Sequence, residues 1–455
     1  MVEPTIFLAL MNRCLKIGHF PTIWKEATVV ILRKPGRTDY TTPKAYRPIG
    51  LLPVMGKIAE KLFVKRASWH ILPKLSVRQY GFIPQRSTED ALYDLLSHIK
   101  SSLREKKIAA LVSLDIEGAF DSAWWPAIRC RLAETGCPKN LRRVFDGYLK
   151  DRKGSIGGPI LWNLLLDPLL QGLERKGVCA QAFADDVVLV FDGHTALEIE
   201  GQANAALAYV REWGVMNKLK FAPHKTKAMV VTKKLKHDTP RLSMGGEGIE
   251  VVREVRLLGL IIDESLTFNT HVKTICAKAH RIFHQLARAA KISWGLDTSI
   301  IRTIYTAVIE PVLMYAAGAW GQAVSKKCVR VQFERIQRVF LQRICKAYRT
   351  ASLHSVQILT GILPINLRIE EAAVLYRVKR GLSPLPYLDA DIETRARPSE
   401  LPHPADEPRL AFDHYSPELG LDQQADATNI YTDGRRRRRG GRRMLETTKN
   451  SRLSK

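Results

Sequence analysis

The 455-residue chain lacks the signatures of several common protein classes. Its seven cysteines form no C-x-x-C pair and no histidine stands at zinc-finger spacing, which argues against a disulfide framework or a structural zinc site. It also lacks an uninterrupted apolar run of membrane-spanning length, because the best candidate, residues 306–324, contains Glu310 and Pro311 near its start. The later turns of that run are amphipathic, so we expect a buried core helix there and no membrane partner.

Acidic residues are scarce relative to basic ones. Lys and Arg number 71 against 45 Asp and Glu, which gives a formal net charge of +26. A positive surplus of this size indicates a polyanionic partner. The N-terminus carries Glu3 and Pro4 where a secretory signal would be basic, so we expect a reducing location, the nucleus and/or the cytoplasm.

The pattern of apolar residues divides the chain into parts. Short apolar runs alternate with helical periodicity at first, and helical patterns dominate after about residue 270, which predicts an α+β domain followed by an all-α region. Residues 381–428 contain seven prolines and ten acidic residues, as expected of a linker. Residues 429–455 combine a strand-like segment with an arginine-rich tail of low complexity.

Periodicity also predicts the individual elements. Strands are expected within 26–36, 108–116, 221–234 and, on both sides of an acidic pair, 178–191. Helices are expected within 55–72, 87–106, 195–214 and much of 270–350. Ser87 or Thr88 is suited to cap the second of these helices, because acidic residues in the following turn favour its positive end.

Three carboxylates stand where buried strands are expected to end. Asp115 closes the apolar run LVSLD, and the pair Asp185-Asp186 interrupts a second apolar stretch. Burial penalises an isolated charge, so these groups must be exposed at strand ends or neutralised by a cation. If they converge on one sheet edge, two Mg²⁺ ions could bridge them and catalyse an in-line phosphoryl transfer. Without such convergence, an Asp-Asp pair in a hairpin is an ordinary solvated turn.

Two motifs resemble those of a known family. SLDIEGAFDSAWWPAI (113–128) and AFADDVVLV (182–190) resemble the first and third palm motifs of reverse transcriptases, specifically those of arthropod non-long-terminal-repeat (LINE-type) retrotransposons. Further blocks of the same family occur in the same order, and they are KAYRPIGLLPVMGKIAEKL (44–62), QYGFIPQRSTEDAL (79–92), GPILWNLLLDPLL (158–170), LKFAPHKTKAMV (219–230), VRLLGLIIDESLTFNTHV (255–272), TIYTAVIEPVLMYAAGAW (303–320) and ASLHSVQILTGILPI (351–365).

The resemblance implies a right-hand polymerase. Fingers and a ferredoxin-like palm would occupy 1–270, with the palm motifs at about 108–260, and a helical thumb or connection region would occupy 271–380. The substrates would be an RNA template, a DNA primer and deoxynucleoside triphosphates. The oligomeric state does not follow from the resemblance.

The resemblance also implies a metal site. Asp115 and Asp185 would bind two Mg²⁺ ions, or Mn²⁺ in their place. The Ile116 carbonyl would assist, and Asp186 would orient the pair. Lys225, in HKTK, would protonate the departing pyrophosphate, although a strand-edge lysine is the alternative.

Further residues would contact the nucleotide and the primer. Phe120 matches the aromatic steric gate that disfavours ribonucleotides, and a plain core aromatic is the alternative. Arg47 and Lys34 would grip the triphosphate, unless they are merely solvated. Leu258-Gly259 matches the primer grip, where a small residue lets the backbone approach the primer end.

The sequence departs from the family pattern in two places. In YLKDRKGSIGGPILWN (148–163), Gly154-Ser155 of the template-positioning loop are present, but Arg152-Lys153 stand where Pro-Gln is expected. IYTDG (430–434) resembles the start of a ribonuclease H domain with Asp433 as its first acidic residue, and an arginine tract follows it. The resemblance therefore implies a truncated or frame-shifted copy of an element.

Three functions remain under consideration. The first is an RNA-directed DNA polymerase that transfers a nucleotide from a deoxynucleoside triphosphate to a primer 3′-hydroxyl. The second is a catalytically dead nucleic-acid-binding remnant, which the altered template loop would explain. The third is a maturase-like RNA-folding protein built on the same palm.

Overall fold

The computed structural model describes residues 4–36, 39–120, 122–150, 158–234, 236–289 and 296–382. Residues 383–428 of the predicted linker, Asp433, and the Gly154-Ser155 loop lie outside the described residues. Within those ranges, the structure combines α-helices with one five-stranded sheet and three two-stranded sheets, which confirms the predicted α+β class. The domain boundaries proposed from the sequence stay predictions.

The helices and strands follow the predicted order along the chain. The α-helices are α1 (Pro4–Ile17), α2 (Val54–Ile71), α3 (Thr88–Arg104), α4 (Trp125–Glu134), α5 (Lys139–Leu149), α6 (Gly158–Arg175), α7 (Ala196–Met216), α8 (Asn269–Ala289), α9 (Thr298–Ile304), α10 (Glu310–Leu313), α11 (Ala317–Trp320), α12 (Lys327–Ile344), α13 (Leu353–Thr360) and α14 (Ile365–Lys379). The strands are β1 (Thr28–Arg33), β2 (Tyr46–Leu51), β3 (Ile108–Leu114), β4 (Cys179–Phe183), β5 (Asp186–Gly193), β6 (Lys227–Val231), β7 (Ser243–Met244), β8 (Glu247–Gly248), β9 (Glu250–Val251), β10 (Glu254–Leu257) and β11 (Leu260–Asp263).

The five-stranded sheet has the order β4-β5-β3-β6-β9. Its first four strands pair antiparallel, and helices precede β4 and β6. A strand, a helical crossover, a hairpin, a second crossover helix and a final strand in this order form a ferredoxin-like β-α-β-β-α-β unit. The structure therefore confirms the predicted palm topology, with β3 at its centre.

Both faces of the sheet are covered by apolar side chains. Ala110, Val112 and Leu189 belong to a hydrophobic cluster that extends into α2, α4, α5, α6 and α7. On the opposite face, Leu111 and Val188 belong to a second cluster, which continues through α3 and the helices that follow β11. Burial on both faces explains why β3 and β5 are apolar almost throughout. The helical region after residue 270 thus shares one core with the sheet.

Helix α3 shows how local sequence sets a helix boundary. The Ser87 hydroxyl accepts a 3.2 Å hydrogen bond from the Asp90 N–H, while the Asp90 carboxylate accepts one of 2.7 Å from the Ser87 N–H. This reciprocal capping box satisfies two N–H groups that have no partner inside the helix. The predicted cap at residue 87 is confirmed.

The apolar run 306–324 contributes buried residues to the core but does not form one helix. A π-helical turn over 305–309 leads into α10, and Ala316 (φ 56°) then separates α10 from α11. Leu313 and Trp320 are fully buried in the second cluster, as expected of core residues. No single described helix is long and apolar enough to cross a membrane, although the bent pair 298–313 and 317–325 meets the length and composition requirements together.

Candidate active site

Asp115, Asp185 and Asp186 lie at one edge of the five-stranded sheet. Asp115 directly follows β3, Asp185 lies in the turn between β4 and β5, and Asp186 is the first residue of β5. The antiparallel pairing of β3 with β5 ends with Leu114 opposite Val187. Because the end of one strand and the start of the other share an edge, the three carboxylates meet there.

The strand register also sets the direction of two of these side chains. Continuing the β3–β5 pairing by one residue places Asp115 opposite Asp186, so both side chains leave the same face of the sheet. The pKa of Asp186 is raised, first by desolvation and then by the negative charges of Asp185 and Asp115. The three carboxylates therefore interact electrostatically, and a cation would relieve their repulsion.

The turn that carries Asp185 has a strained backbone. Ala184 adopts φ 59°, in the left-handed region that costs a residue with a side chain roughly 1–2 kcal/mol. The indole Nε1 of Trp162, which is 1% exposed, donates a 2.9 Å hydrogen bond to the Ala184 carbonyl. Gly81 packs so closely that a methyl group on its Cα would overlap the Ala184 nitrogen, and Asn163 Nδ2 donates to the Gly81 carbonyl at 2.6 Å. These contacts hold the acidic turn against the sheet edge.

The backbone of the first carboxylate is fixed by the segment between α7 and β6. The Ala222 N–H donates a 2.9 Å hydrogen bond to the Asp115 carbonyl, and Ile116 forms an isolated antiparallel bridge with Phe221. On the other side of this bridge, the Glu117 N–H donates a 2.9 Å hydrogen bond to the Lys220 carbonyl. In an antiparallel pair with hydrogen bonds on both sides, each of the two bridged residues directs its own N–H and C=O away from the other. The Ile116 carbonyl therefore points toward the β5 side, where the acidic turn lies.

Asp115 belongs to a chain of ion pairs that links Lys225, Glu117 and Lys220. Lys225 Nζ lies 3.4 Å from Asp115 Oδ2 and 4.0 Å from Glu117 Oε1. Lys220 Nζ lies 3.5 Å from Glu117 Oε2, and its charge, with smaller effects of Lys225 and His224, lowers the pKa of Glu117. The predicted proton donor thus contacts a predicted metal ligand.

Phe120 lies in the turn after β3. The residue is 40% exposed, so it is not the plain core aromatic considered as an alternative. The ring centroid is 5.4 Å from that of Trp162, at an interplanar angle of 47°. One buried tryptophan therefore contacts both Phe120 and the acidic turn, while the steric-gate role stays a prediction.

Lys34 and Arg47 lie on a ribbon formed by β1 and β2, separate from the five-stranded sheet. Arg47 pairs with Leu32, and the Lys34 N–H donates to the Ala45 carbonyl at 2.8 Å, which extends the pairing past β1. Because Lys34 is two residues beyond Leu32, both cations belong to one face of the ribbon. Their contact with a triphosphate stays a prediction.

Leu258 and Gly259 form the two-residue turn between β10 and β11. Their φ angles are 46° and 86°, so both residues are left-handed, as in the mirror-image turns that suit antiparallel hairpins. Such turns favour glycine or asparagine, and Leu258 is an unusual occupant. Its role as a primer grip stays a prediction.

Several residues at this site were not predicted from the sequence. Glu117, Trp162 and Gly81 all fall within the blocks quoted above, and neither spacing nor composition marks the last two. Glu117 could have been noticed as a second acid within two residues of Asp115. The other two depend on contacts with Ala184, which only the folded chain shows.

The chemistry of the cluster suits a divalent cation. Among the residues that the structure describes, no three His, Cys, Asp or Glu side chains are already arranged as a metal site. The donors at the edge are nevertheless carboxylate and carbonyl oxygens, which Mg²⁺ prefers. Lys225 already contributes a positive charge next to Asp115, and a metal ion could replace it.

Comparison with known proteins gives consistent matches over most of the chain. Residues 32–262 match the family model described as "Reverse transcriptase (RNA-dependent DNA polymerase)". The chain is 30% identical over 398 residues to the "Putative 115 kDa protein in type-1 retrotransposable element R1DM" of Drosophila melanogaster, covering 83% of this chain and 38% of the relative. It is 28% identical over 404 residues to the "Retrovirus-related Pol polyprotein from type-1 retrotransposable element R1" of Bradysia coprophila, covering 84% and 40%.

The chain thus spans about two fifths of the length of these curated relatives. A solved structure with a similar arrangement is telomerase from Candida albicans in complex with a fragment of telomeric RNA. Its TM-score is 0.42 and its sequence identity 11%, covering 78% of this chain and 68% of the telomerase chain.

Proposed function

The chain belongs to the reverse transcriptase (RNA-dependent DNA polymerase) family, whose model matches more than half of its residues, and from this premise we propose that its folded body catalyses RNA-directed DNA synthesis. The relatives are proteins of arthropod non-LTR retrotransposons, which confirms the resemblance stated from the motifs. We propose an RNA template, a DNA primer and deoxynucleoside triphosphates as the substrates.

One observation carries this proposal. Asp115 and the pair Asp185-Asp186 are about 70 residues apart in sequence, yet they occupy one edge of a ferredoxin-like sheet within the matched region. Burial, and after it the negative charges of Asp185 and Asp115, raises the pKa of Asp186. A solvated hairpin turn would place the acidic pair at a strand end but would not require a third carboxylate opposite it.

Reverse transcriptases use divalent metal ions and bind a nucleic-acid template and primer. We propose that the ions here are two Mg²⁺, for which Mn²⁺ can substitute. Asp115, Asp185 and the Ile116 carbonyl would hold them, with Asp186 adding negative charge. When bound, such ions activate the attacking hydroxyl and stabilise the charge on the leaving oxygens.

The protein's own side chains supply the remaining functions. We propose that Lys225, whose Nζ lies 3.4 Å from Asp115 Oδ2, gives a proton to the departing pyrophosphate. The exposed ring of Phe120 can exclude a ribose 2′-hydroxyl, and the cations of the β1–β2 ribbon can grip the triphosphate. The basic surface, which gives the chain its net charge of +26, can bind the nucleic-acid backbone.

Primer extension on an RNA template tests the function. Purified full-length protein should incorporate deoxynucleotides only with Mg²⁺ or Mn²⁺ present, and Asp185→Asn should lower the rate by at least about 100-fold, or roughly 3 kcal/mol of transition-state stabilisation. Asp192→Asn is the matched control, because Asp192 lies on β5 away from the site and contacts Lys107 at 3.1 Å. Incorporation that survives Asp185→Asn would contradict the proposal.

The steric gate has its own test. Phe120→Ala should raise the incorporation of ribonucleotides relative to deoxynucleotides by about tenfold or more, because the ring that would clash with the 2′-hydroxyl is removed. The same preference for deoxynucleotides in both proteins would contradict the steric-gate role of Phe120.

The catalytically dead remnant is not favoured. The family match and the convergence of the carboxylates both fit a polymerase, and the altered loop at 152–155 lies outside the described residues. A remnant would bind RNA–DNA hybrids in a salt-sensitive way, with unchanged affinity in Asp115→Asn and no synthesis by the unaltered protein.

We also propose a nuclear and/or cytoplasmic location, which immunofluorescence of the expressed chain would test.

A further inference from the structure

Tyr315 joins three distant parts of the chain at one hydroxyl. Its Oη lies 2.7 Å from the carbonyl oxygen of Leu258 and 2.9 Å from Oγ1 of Thr88. A tyrosine hydroxyl has one proton, so it donates to the carbonyl and accepts from the threonine. The β10–β11 turn, the start of α3 and the segment between α10 and α11 therefore meet here.

The same side chain packs against the turn. A Cβ built on Gly259 would lie 3.2 Å from Tyr315 Cε1, which is tighter than ordinary van der Waals contact. Glycine adopts the left-handed φ of 86° without strain, and a side chain at this position would in addition have to displace the ring slightly. Leu258 is also left-handed, and its side chain makes this backbone conformation strained. Contacts from other parts of the chain must therefore hold it in place. The bond from Tyr315 is one of these contacts.

Tyr315 is itself held by the core. The indole Nε1 of Trp320, a fully buried residue, donates a 2.8 Å hydrogen bond to the Tyr315 carbonyl. Ala316, the next residue, has φ 56°, which turns the chain sharply after Tyr315. The Gly318 N–H donates a 2.6 Å bond to Glu89 on α3. The helical region thus presents the tyrosine from a rigid support.

We propose that Tyr315 is a positioning residue that fixes the Leu258-Gly259 turn against the 3′-terminal nucleotide of the primer. The proposal rests on the proposed function and on the primer-grip role that the family resemblance implies for this turn. Tyr315 is 38% exposed, so the turn and its support border solvent where a duplex can approach. The helical region would then act on the primer through one hydrogen bond, without touching the reacting atoms.

The first test needs no catalysis. Tyr315→Phe keeps the ring and removes the hydroxyl, so amide hydrogen exchange in the peptide 254–263 should become about 5–10 times faster. In the complex with a primer–template, 2-aminopurine at the primer 3′ end should change its fluorescence relative to the unaltered protein, while the overall Kd changes less than about threefold. Unchanged exchange, or faster exchange with an unchanged terminal signal, overturns the proposal.

The second test is kinetic. Tyr315→Phe should lower kcat for extension by about tenfold and leave KM for the nucleotide within about twofold, because only the primer end is displaced. Tyr348→Phe is the matched control, since Tyr348 is 87% exposed. If the unaltered protein incorporates nothing, the proposed function fails, and the exchange and fluorescence measurements still decide the role of Tyr315.

Two further variants separate the contacts of the hydroxyl. Thr88→Val removes the Thr88 hydroxyl but keeps the hydrogen bond from Tyr315 to the Leu258 carbonyl. It should therefore change the exchange rate, the fluorescence signal and kcat by less than about twofold each. Tyr315→4-aminophenylalanine restores an N–H donor and should recover most of the lost rate, and it also serves if Tyr315→Phe does not fold. Equal effects of Thr88→Val and Tyr315→Phe, or no recovery with the amino variant, count against the assignment.

Discussion

Replacing Asp167 by Asn should stabilise the protein at neutral pH. Asp167 lies on α6, the helix that carries Trp162, and it is only 7% exposed. Its Oδ1 accepts a 2.6 Å hydrogen bond from the Ser76 N–H, and its Oδ2 accepts one of 2.6 Å from Gln171 Nε2. Desolvation outweighs these two bonds and raises the pKa of Asp167 to about 6.

The magnitude follows from proton linkage. The pKa rises from 3.8 in the unfolded chain to about 6 in the folded one, so the folded state holds its proton more tightly. Stability is therefore lost as the pH rises from about 4 to about 6, and the ionised group costs roughly 3 kcal/mol above that range. Asparagine keeps the acceptor for Ser76 and removes the charge. Asp167→Asn should gain about 1–3 kcal/mol at pH 7.5, and its gain should shrink to about 1 kcal/mol or less at pH 4.5.

Urea unfolding at several pH values between 4.5 and 8 measures this difference directly. Asp238→Asn is the control, because Asp238 is an exposed aspartate whose replacement should have little effect at any pH. A gain that is the same at pH 4.5 and pH 7.5, or a loss of stability at pH 7.5, would refute the linkage argument. Either result would mean that the hydrogen bonds of Asp167, and not its desolvation, dominate its contribution.

Three further substitutions have clear expectations. Gly81→Ala places a methyl group against the Ala184 nitrogen, so thermal melting should show a loss of at least about 1–3 kcal/mol, and primer extension should fall by more than tenfold. Trp162→Phe leaves the buried Ala184 carbonyl without its hydrogen-bond donor, so urea unfolding should show about 1–3 kcal/mol lower stability. Nucleotide incorporation should also be weaker at temperatures where the variant is folded. Ser87→Ala removes the acceptor for the Asp90 N–H, and chemical denaturation should show about 1 kcal/mol of destabilisation with an unchanged nucleotide KM.

Much of the secondary structure could be predicted because its causes are local. The buried strand β3 and the hairpin β4–β5 follow from short apolar runs broken at an acidic pair, and the structure confirms both. The prediction for 306–324 was less accurate. Its inward-facing residues, such as Leu313 and Trp320, are buried as expected, but a π-helical turn and the left-handed Ala316 split the predicted helix. Apolar content predicts burial there, and it does not reveal a break imposed by neighbouring helices.

The sequence by itself determined which residue types end the central strands. The continuous apolar runs of β3 and β5 are a property of neighbouring residues, so the positions of Asp115 and the acidic pair at strand ends follow from them. Only the tertiary structure decided what holds them in place. Trp162 and Gly81 restrain the turn at Ala184, and Tyr315 reaches Leu258 across 57 positions of sequence. Such contacts form only when helices and strands pack against one another. A local sequence pattern does not indicate which distant residue will become the partner.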